Sequence, residues 1–421
     1  MASANTTTFD PVFKEFYLPY FIEQYDRQTP LMDEVIMKRD SEHVENLSAF
    51  VAMEWETWAG TGSRDEEEEF PTPEPGDYQR TEIPLRFHYA AFRVTGQLLE
   101  ASKTDAAAFV PALQREMKSK ITSFHKHENR MLWGDGAGVL CQVDGTPTAG
   151  DLTLTVDNAY GISNAINGHM FLSKNVHIDI YSAKSSGVLR RTFKITSVTR
   201  GSGSSTSATV ELDTAPEAAG VVDGDYVFLE SSINKEMMGL LGIIDTNNFV
   251  TTLQGLAYGD HPDWGAQIRQ GATAGTAEGL TLLRMMLLAN DIAFTGGGNT
   301  NIIMCSPGIQ LTYAMMCKRE GIPVAKATLG TGWTGLEFLY GDKSIPVIPD
   351  KYAPGSRMAY IDAETLRMYE LARPQWLDRG EGILQRIGRT EVYEAVYMHY
   401  VECGILKRMA NGMLEDITEL S

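Results

Sequence analysis

Between residues 44 and 101 apolar and polar positions alternate in two long runs divided by a charged break. The first run, residues 46–59, sets Phe50, Val51, Met53, Trp55 and Trp58 among polar neighbours. The second, residues 79–99, carries Ile83, Leu85, Phe87, Tyr89, Phe92 and Val94. Between them residues 64–76 hold the carboxylates Asp65, Glu66, Glu67, Glu68 and Glu69, then Pro71, Pro73 and Pro75, so no strand can continue through. The pattern predicts a β-hairpin whose arms reach roughly 40 Å at about 3.3 Å per residue. A two-stranded ribbon is marginal in water by itself. Its apolar side must find a surface, and we expect that surface on another copy of the chain.

The periodicity elsewhere is mixed. Residues 1–44 read as an extended arm with short helices: Asp10 caps, Pro11 takes the first helical position, and Val12, Phe13, Phe16 and Tyr17 recur at helical spacing. Pro19 and Pro30 cut this arm into pieces, so it predicts a strap across a surface. Residues 107–133 make the strongest helix, with Val110, Leu113, Met117, Ile121, Phe124 and Leu132 on one face and Arg115, Lys118, Lys120, Lys126 and Arg130 on the other. Pro111 either kinks its first turn or marks a later start, and Gly134 stops it.

From 145 to about 232 the period changes to two. Residues 152–156, 176–181, 189–198, 206–212 and 225–229 predict strands of an inserted β-barrel or sandwich, with 201–207 as a flexible tip. Further on, Thr276 is expected to cap a helix to about 289. Residues 301–305 predict a buried strand, and Ser306 with Pro307 opens a helix that Gly321 closes. Strand-like pieces follow at 336–340, 345–348, 358–361 and 391–407. No internal repeat is present.

Composition narrows the function classes. A chain of 421 residues exceeds one ordinary core, which makes about three domains the expectation. At a net charge of −19 it is a poor phosphate neutraliser, although it can enclose nucleic acid without gripping it. The cysteines Cys141, Cys305, Cys317 and Cys403 are scattered among apolar neighbours and predict buried, reduced thiols. The N-terminus lacks the basic start and apolar core of a signal peptide. The greasiest stretch, 280–289, is broken by Arg284 and far short of the ~20 residues of a membrane span, so a soluble chain is expected.

Candidate chemistry is thin. Gly330-Thr-Gly-Trp-Thr-Gly335 has the letters of a dinucleotide loop, but the residues after it read as strand, not as the helix whose N-terminus would receive a pyrophosphate. A mobile loop is expected there. His125 and His127, two apart on a helix, point about 200° away from each other and cannot share a metal. The carboxylates at 65–69 could attract calcium, yet such a run is most simply a solvated acidic loop. Gly134-Asp-Gly-Ala-Gly138 ends a helix where a phosphate loop would begin one. No catalytic, cofactor or metal constellation emerges, and we expect a protein that is not an enzyme.

The order of parts is more specific than any motif. Extended arm, long hairpin, amphipathic helix ending in Leu132-Trp-Gly-Asp-Gly-Ala-Gly138, then mixed α/β resembles a tailed-bacteriophage major capsid protein of the Hong Kong phage type, an α+β fold shared with the herpesvirus capsid floor. Gly239-Leu-Leu-Gly-Ile-Ile-Asp245, residues 339–351 and Ala359-Tyr-Ile-Asp362 resemble further segments of that family. The resemblance covers nearly the whole chain apart from 145–232.

It implies an N-terminal arm (1–44), an extension loop (45–100) and a peripheral domain with a spine helix (101–144, continued at 233–276). It also implies an inserted β-domain (145–232), an axial domain (277–385) and a C-terminal return (386–421). The loop's Trp55, Trp58, Phe87, Tyr89 and Phe92 and the arm's Phe13, Phe16, Tyr17, Tyr20 and Phe21 would contact neighbouring subunits. Met117, Ile121, Phe124, Leu132 and Trp133 would seat the spine helix. The implied product is an icosahedral head of pentamers and hexamers around double-stranded DNA, assembled in the host bacterial cytoplasm. Its implied partners are a portal and possible scaffolding and decoration proteins. With no charged helical pro-segment ahead of the arm and Met1 present, we expect a separate scaffold or none. An encapsulin-like compartment, another phage structural part and a cytoplasmic α/β enzyme are the alternatives.

One departure from some relatives has a measurable consequence. They crosslink a loop lysine covalently to a neighbour, whereas no lysine lies between Lys38 and Lys103 here. Shells of this chain should run as monomer alone on a denaturing gel. A ladder of covalent multimers would contradict a purely non-covalent clasp.

Overall fold

The computed structural model describes residues 30–32, 38–41, 43–45, 47–55, 60–72, 75, 77–97, 112–165, 168–199, 208–322, 326–328, 334–378 and 382–420. The arm residues Phe13, Phe16, Tyr17, Tyr20 and Phe21, the ribbon's Trp58 and the tip at 201–207 lie outside them.

After β1 (Lys38–Asp40) and β2 (Val44–Glu45), β3 (Ser48–Trp55) pairs antiparallel with β4 (Asp77–Pro84), in register from Ser48↔Pro84 to Trp55↔Asp77. The alternation predicted this hairpin, but its second arm is shorter than expected. Pro84 has no N–H with which to continue a ladder, and the Leu85 N–H donates to the Leu47 carbonyl at 2.9 Å. The chain then turns into β5 (Arg86–Thr95), which leaves the hairpin for another sheet. Among the described residues the two arms are eight residues each, and Ala49 and Ile83 pack with Tyr369 of the chain's own core.

The long amphipathic helix is α1, described over Ala112–Met131. Phe124, Leu132 and Trp133 are buried, and Met117 and Ile121 half-buried. The Trp133 indole N–H donates to an Asp350 carboxylate oxygen at 2.9 Å, tying the helix end to the opposite half of the core.

Next come β6 (Val139–Gln142), β7 (Thr153–Val156), β8 (His177–Tyr181), β9 (Leu189–Thr199), β10 (Ala208–Leu212) and β11 (Tyr226–Leu229). They form one antiparallel sheet in the order β6-β11-β8-β9-β10-β7. A bridge between Val143 and Val156 joins its two ends, so the sheet closes into a barrel and not a sandwich. In β10, Ala208, Val210 and Leu212 point inward while Thr209 and Glu211 are exposed, the two-residue period of a half-buried strand. Strand β6 belongs to the barrel although it precedes the expected boundary at 145.

The chain returns through α2 (Leu240–Ile243), laid against the end of α1. The Leu240 N–H donates to the Leu132 carbonyl at 2.7 Å. A Cβ on Gly239 would sit 2.4 Å from the Met131 carbonyl oxygen, so only glycine allows this approach. Arg408 is buried and donates to the carbonyls of Gly242, Ile243 and Trp264 at 3.1, 2.7 and 3.2 Å, closing the C-terminus of α2.

A short hairpin, β12 (Thr252–Leu253) and β13 (Leu256–Ala257), leads to β14 (Gln267–Arg269) and α3 (Leu282–Phe294). Thr281 caps α3 by accepting from the Arg284 N–H at 3.3 Å, five residues beyond the expected Thr276. Then follow β15 (Ile302–Cys305), α4 (Pro307–Glu320), β16 (Lys326–Thr328), β17 (Thr334–Tyr340), β18 (Lys343–Pro349) and β19 (Met358–Ile361). Ser306 caps α4 and Gly321, at φ 70°, ends it, as the sequence predicts. Last are β20 (Leu366–Trp376), β21 (Gln385–Arg386), β22 (Val392–Ile405) and β23 (Gly412–Leu414).

Two further sheets organise the rest. A seven-stranded sheet runs β14-β23-β19-β15-β18-β17-β16, and buried side chains of α3 and α4 share a core with it. A five-stranded sheet runs β1-β20-β22-β21, with β5 also paired to β22 from Val392↔Thr95 to Val401↔Arg86. Sheet membership thus divides the stretch 277–385, since β20 joins the sheet that carries α1. All four cysteines are buried and free.

Candidate functional site

Strand β5 divides its side chains between two surfaces because successive residues face opposite ways. His88, Phe92 and Val94 are 7%, 5% and 1% exposed. Phe92 meets Trp376 edge-on at 5.7 Å, so this candidate contact residue belongs to the subunit's own core. Phe87 and Tyr89 face out, 45% and 57% exposed. Both pack edge-on to Tyr400 of β22, at 4.9 and 6.0 Å, and the Tyr89 hydroxyl donates to that of Tyr400 at 3.3 Å. Leu371 of β20 is exposed too. Trp55 is half-buried inside the chain, stacked on His261 at 5.3 Å and edge-on to Trp264 at 6.2 Å.

The helices hold contact candidates that the sequence reading missed. Leu283, Met286 and Phe294 of α3 are exposed, Phe294 by 83%, while Met285, Leu288 and Ile292 face the core. Leu311 and Met315 of α4 and Leu339 of β17 are exposed as well. A helix apolar on both faces signals a second buried environment, and that signal was readable at 282–294.

The acidic tip is open to solvent along residues 60–70. It is a self-contained turn: the Asp65 N–H donates to a Glu68 carboxylate at 3.2 Å and Arg64 Nε to the Glu69 carbonyl at 2.9 Å. Among the described residues no group of three His, Cys, Asp or Glu side chains could hold a metal ion. His125 hydrogen-bonds Glu128 at 3.2 Å, while His127 accepts from Arg130 Nε at 3.4 Å. Gly330 to Trp333 lie outside the described residues, and strand β17 follows them, not a helix.

A buried ionic cluster holds the five-stranded sheet to α1. His399 of β22 meets Glu128 of α1 through Nδ1 at 2.5 Å and Glu370 of β20 through Nε2 at 3.1 Å. Arg39 of β1 reaches Glu370 at 3.4 Å. Burial alone lowers the basicity of His399, but the hydrogen bonds to Glu128 and Glu370 outweigh it and raise the imidazole pKa. Burial likewise pushes both carboxyls up, and the imidazoles bring them below the usual carboxylate range.

The sequence matches no protein-family model and no curated protein. Solved structures do match. A chain of the cyanophage A-1(L) capsid asymmetric unit superposes with a TM-score of 0.55 at 14% identity, over 96% of this chain and 96% of that one. The encapsulin of the holo-SrpI complex from Synechococcus elongatus PCC 7942 gives 0.49 at 10% identity, over 100% and 98%. A chain of the capsid of a native GTA particle gives 0.47 at 11%, over 94% and 93%. The element order described above and the near end-to-end superposition on the cyanophage capsid chain lead to one conclusion: this chain has the α+β fold of tailed-phage major capsid proteins of the Hong Kong phage type.

Proposed function

We propose that the chain is a major capsid protein of a tailed double-stranded DNA phage, assembling as pentamers and hexamers into an icosahedral head that encloses the genome. The observation that carries this reading is large apolar side chains left open on several elements of a chain with a capsid fold. Phe87 and Tyr89 on β5, Leu283 and Phe294 on α3, and Leu311 and Met315 on α4 are all exposed. Large apolar side chains exposed on several elements fit contact with other copies of the chain, and a closed shell requires each subunit to use several surfaces at once.

In this reading β3, β4 and the acidic tip form the extension loop, and α1 is the spine. The seven-stranded sheet with α3 and α4 forms the axial part, and the barrel is an insertion that steadies the subunit or meets its neighbours. Portal, scaffolding and decoration proteins are the partners such a head takes. Host cytoplasm is its place of assembly and the virion its destination. The net charge of −19 suits a wall past which packed DNA slides without sticking.

Expression of the chain alone, and then with its neighbouring genes, followed by electron microscopy, tests the proposal. Closed icosahedral shells are expected, with DNA inside when the packaging partners are present. Shells that enclose a protein cargo instead of DNA would favour an encapsulin-like compartment, and discrete small oligomers would refute the capsid reading.

A further inference from the structure

A cavity of about 460 Å³ opens where β5, α1 and the segment returning from the barrel meet. Its wall includes Arg86, His88, His127, Ser231, Lys235 and Glu236. Arg86 and Lys235 face the space, and Arg130 lies behind the wall, bonded to His127 and Glu236. Glu236 is taken by Arg130. Glu402 stands 3.5 Å from Arg86, and Glu128, which also acts on His88, is held by His125 and His399.

The nitrogens here are underused. His88 is 7% exposed and its Nε2 has no hydrogen-bond partner. Arg130 Nη1, behind the wall, is also buried without one, while Arg86 Nε faces Glu402 at 3.5 Å. Buried polar nitrogens in native proteins are almost always satisfied, so the idle His88 nitrogen on the cavity wall calls for a partner. Two cations on the wall, a third behind it and a neutral imidazole make an oxyanion the matching chemistry, since charge-assisted N–H···O bonds are the strong ones. The burial that lowers the His88 pKa to about 4 is what an anion in the cavity would offset.

We propose that this cavity is an oxyanion-binding site, taking a single phosphate or carboxylate group between Arg86, His88 and Lys235. Nothing in the assembly reading depends on it. A carboxylate source exists in the chain itself, the exposed acidic tip of another copy, and a free phosphate-class anion is the other source.

Titration of the purified full chain with inorganic phosphate at low ionic strength, followed calorimetrically, tests the site. Saturable binding is expected, weakened by at least about tenfold in His88→Phe and in Lys235→Gln. Lys235 is exposed, so Lys235→Gln keeps the fold and separates loss of the site from loss of structure. A synthetic peptide of residues 62–72 then distinguishes the sources: displacement of phosphate by the peptide assigns the site to a neighbouring copy's tip, and no displacement to a free anion. Absence of saturable binding by both phosphate and acetate would overturn the proposal, as would binding left unchanged in both variants.

Discussion

Replacing Phe87 and Tyr89 together with serine should leave a folded, soluble subunit that closes no shells. Both side chains stand on the outward side of β5, and the inner side of the strand is supplied by His88, Phe92 and Val94. Removing the outer pair therefore costs the fold little beyond their contacts with Tyr400. At an interface the loss is larger, because a buried aromatic anchor commonly contributes about 2 kcal/mol or more. Shell closure multiplies that loss, since every subunit repeats the same weakened contact and avidity falls with each one. Sedimentation and electron microscopy read the assembly state, and circular dichroism with thermal melting reads the fold. Phe92→Ser is the informative partner experiment: at 5% exposure and packed on Trp376, it should destabilise the subunit itself by about 3–5 kcal/mol. Shells of the double variant that still form and survive heating would remove β5 from the contact surface.

His399→Ala should destabilise the isolated subunit by about 3–5 kcal/mol, the usual result of removing one partner from a buried ionic cluster. His399 is 2% exposed, and its loss leaves the carboxylates of Glu128 and Glu370, both buried, facing a cavity. His125 still serves Glu128 and Arg39 still serves Glu370, which keeps the cost from rising further. The sign of the pH dependence follows from the shifts. The raised His399 pKa contributes stability that is full below the ordinary histidine value of about 6.5 and is lost as pH rises through its folded value. The lowered carboxyls of Glu128 and Glu370 contribute stability present above about 4.5 and lost as pH falls through their folded values. The cluster is therefore strongest between those limits. The difference between wild type and His399→Ala, measured by urea unfolding, should shrink on moving from pH 6 to alkaline pH. A difference that grows with pH would mean that His399 is neutral in the folded state.

Much of the fold was legible in the chain because its signals are local. The strands at 177–181, 189–199, 208–212 and 226–229, the Ser306 cap, the Gly321 stop and the end of α1 a few residues before Gly134 all follow from periodicity and capping within a few residues. The order of those parts was enough to point to a capsid fold. Residues 366–376 carry no clear strand pattern, although they form an eleven-residue inner strand of the five-stranded sheet. Arg367, Glu370 and Arg373 break the apolar run there, and the partners that satisfy Glu370 come from β1 and β22.

What the sequence determined by itself is which residues form elements and which faces of them are apolar. Only the tertiary structure decided where those faces go. Pro84 ended the ribbon early, and pairing of β5 with β22 sent Phe92 into the core while leaving Phe87 and Tyr89 outside. The packing of α1 on β5 brought Glu128 to His399, 271 positions away, and pairing of β20 with β22 set Glu370 against His399 across 29. The physical reason is that helix and strand periods are set by neighbours along the chain. Burial, buried charge pairing and leftover apolar surface are set by whichever distant segment arrives to cover them.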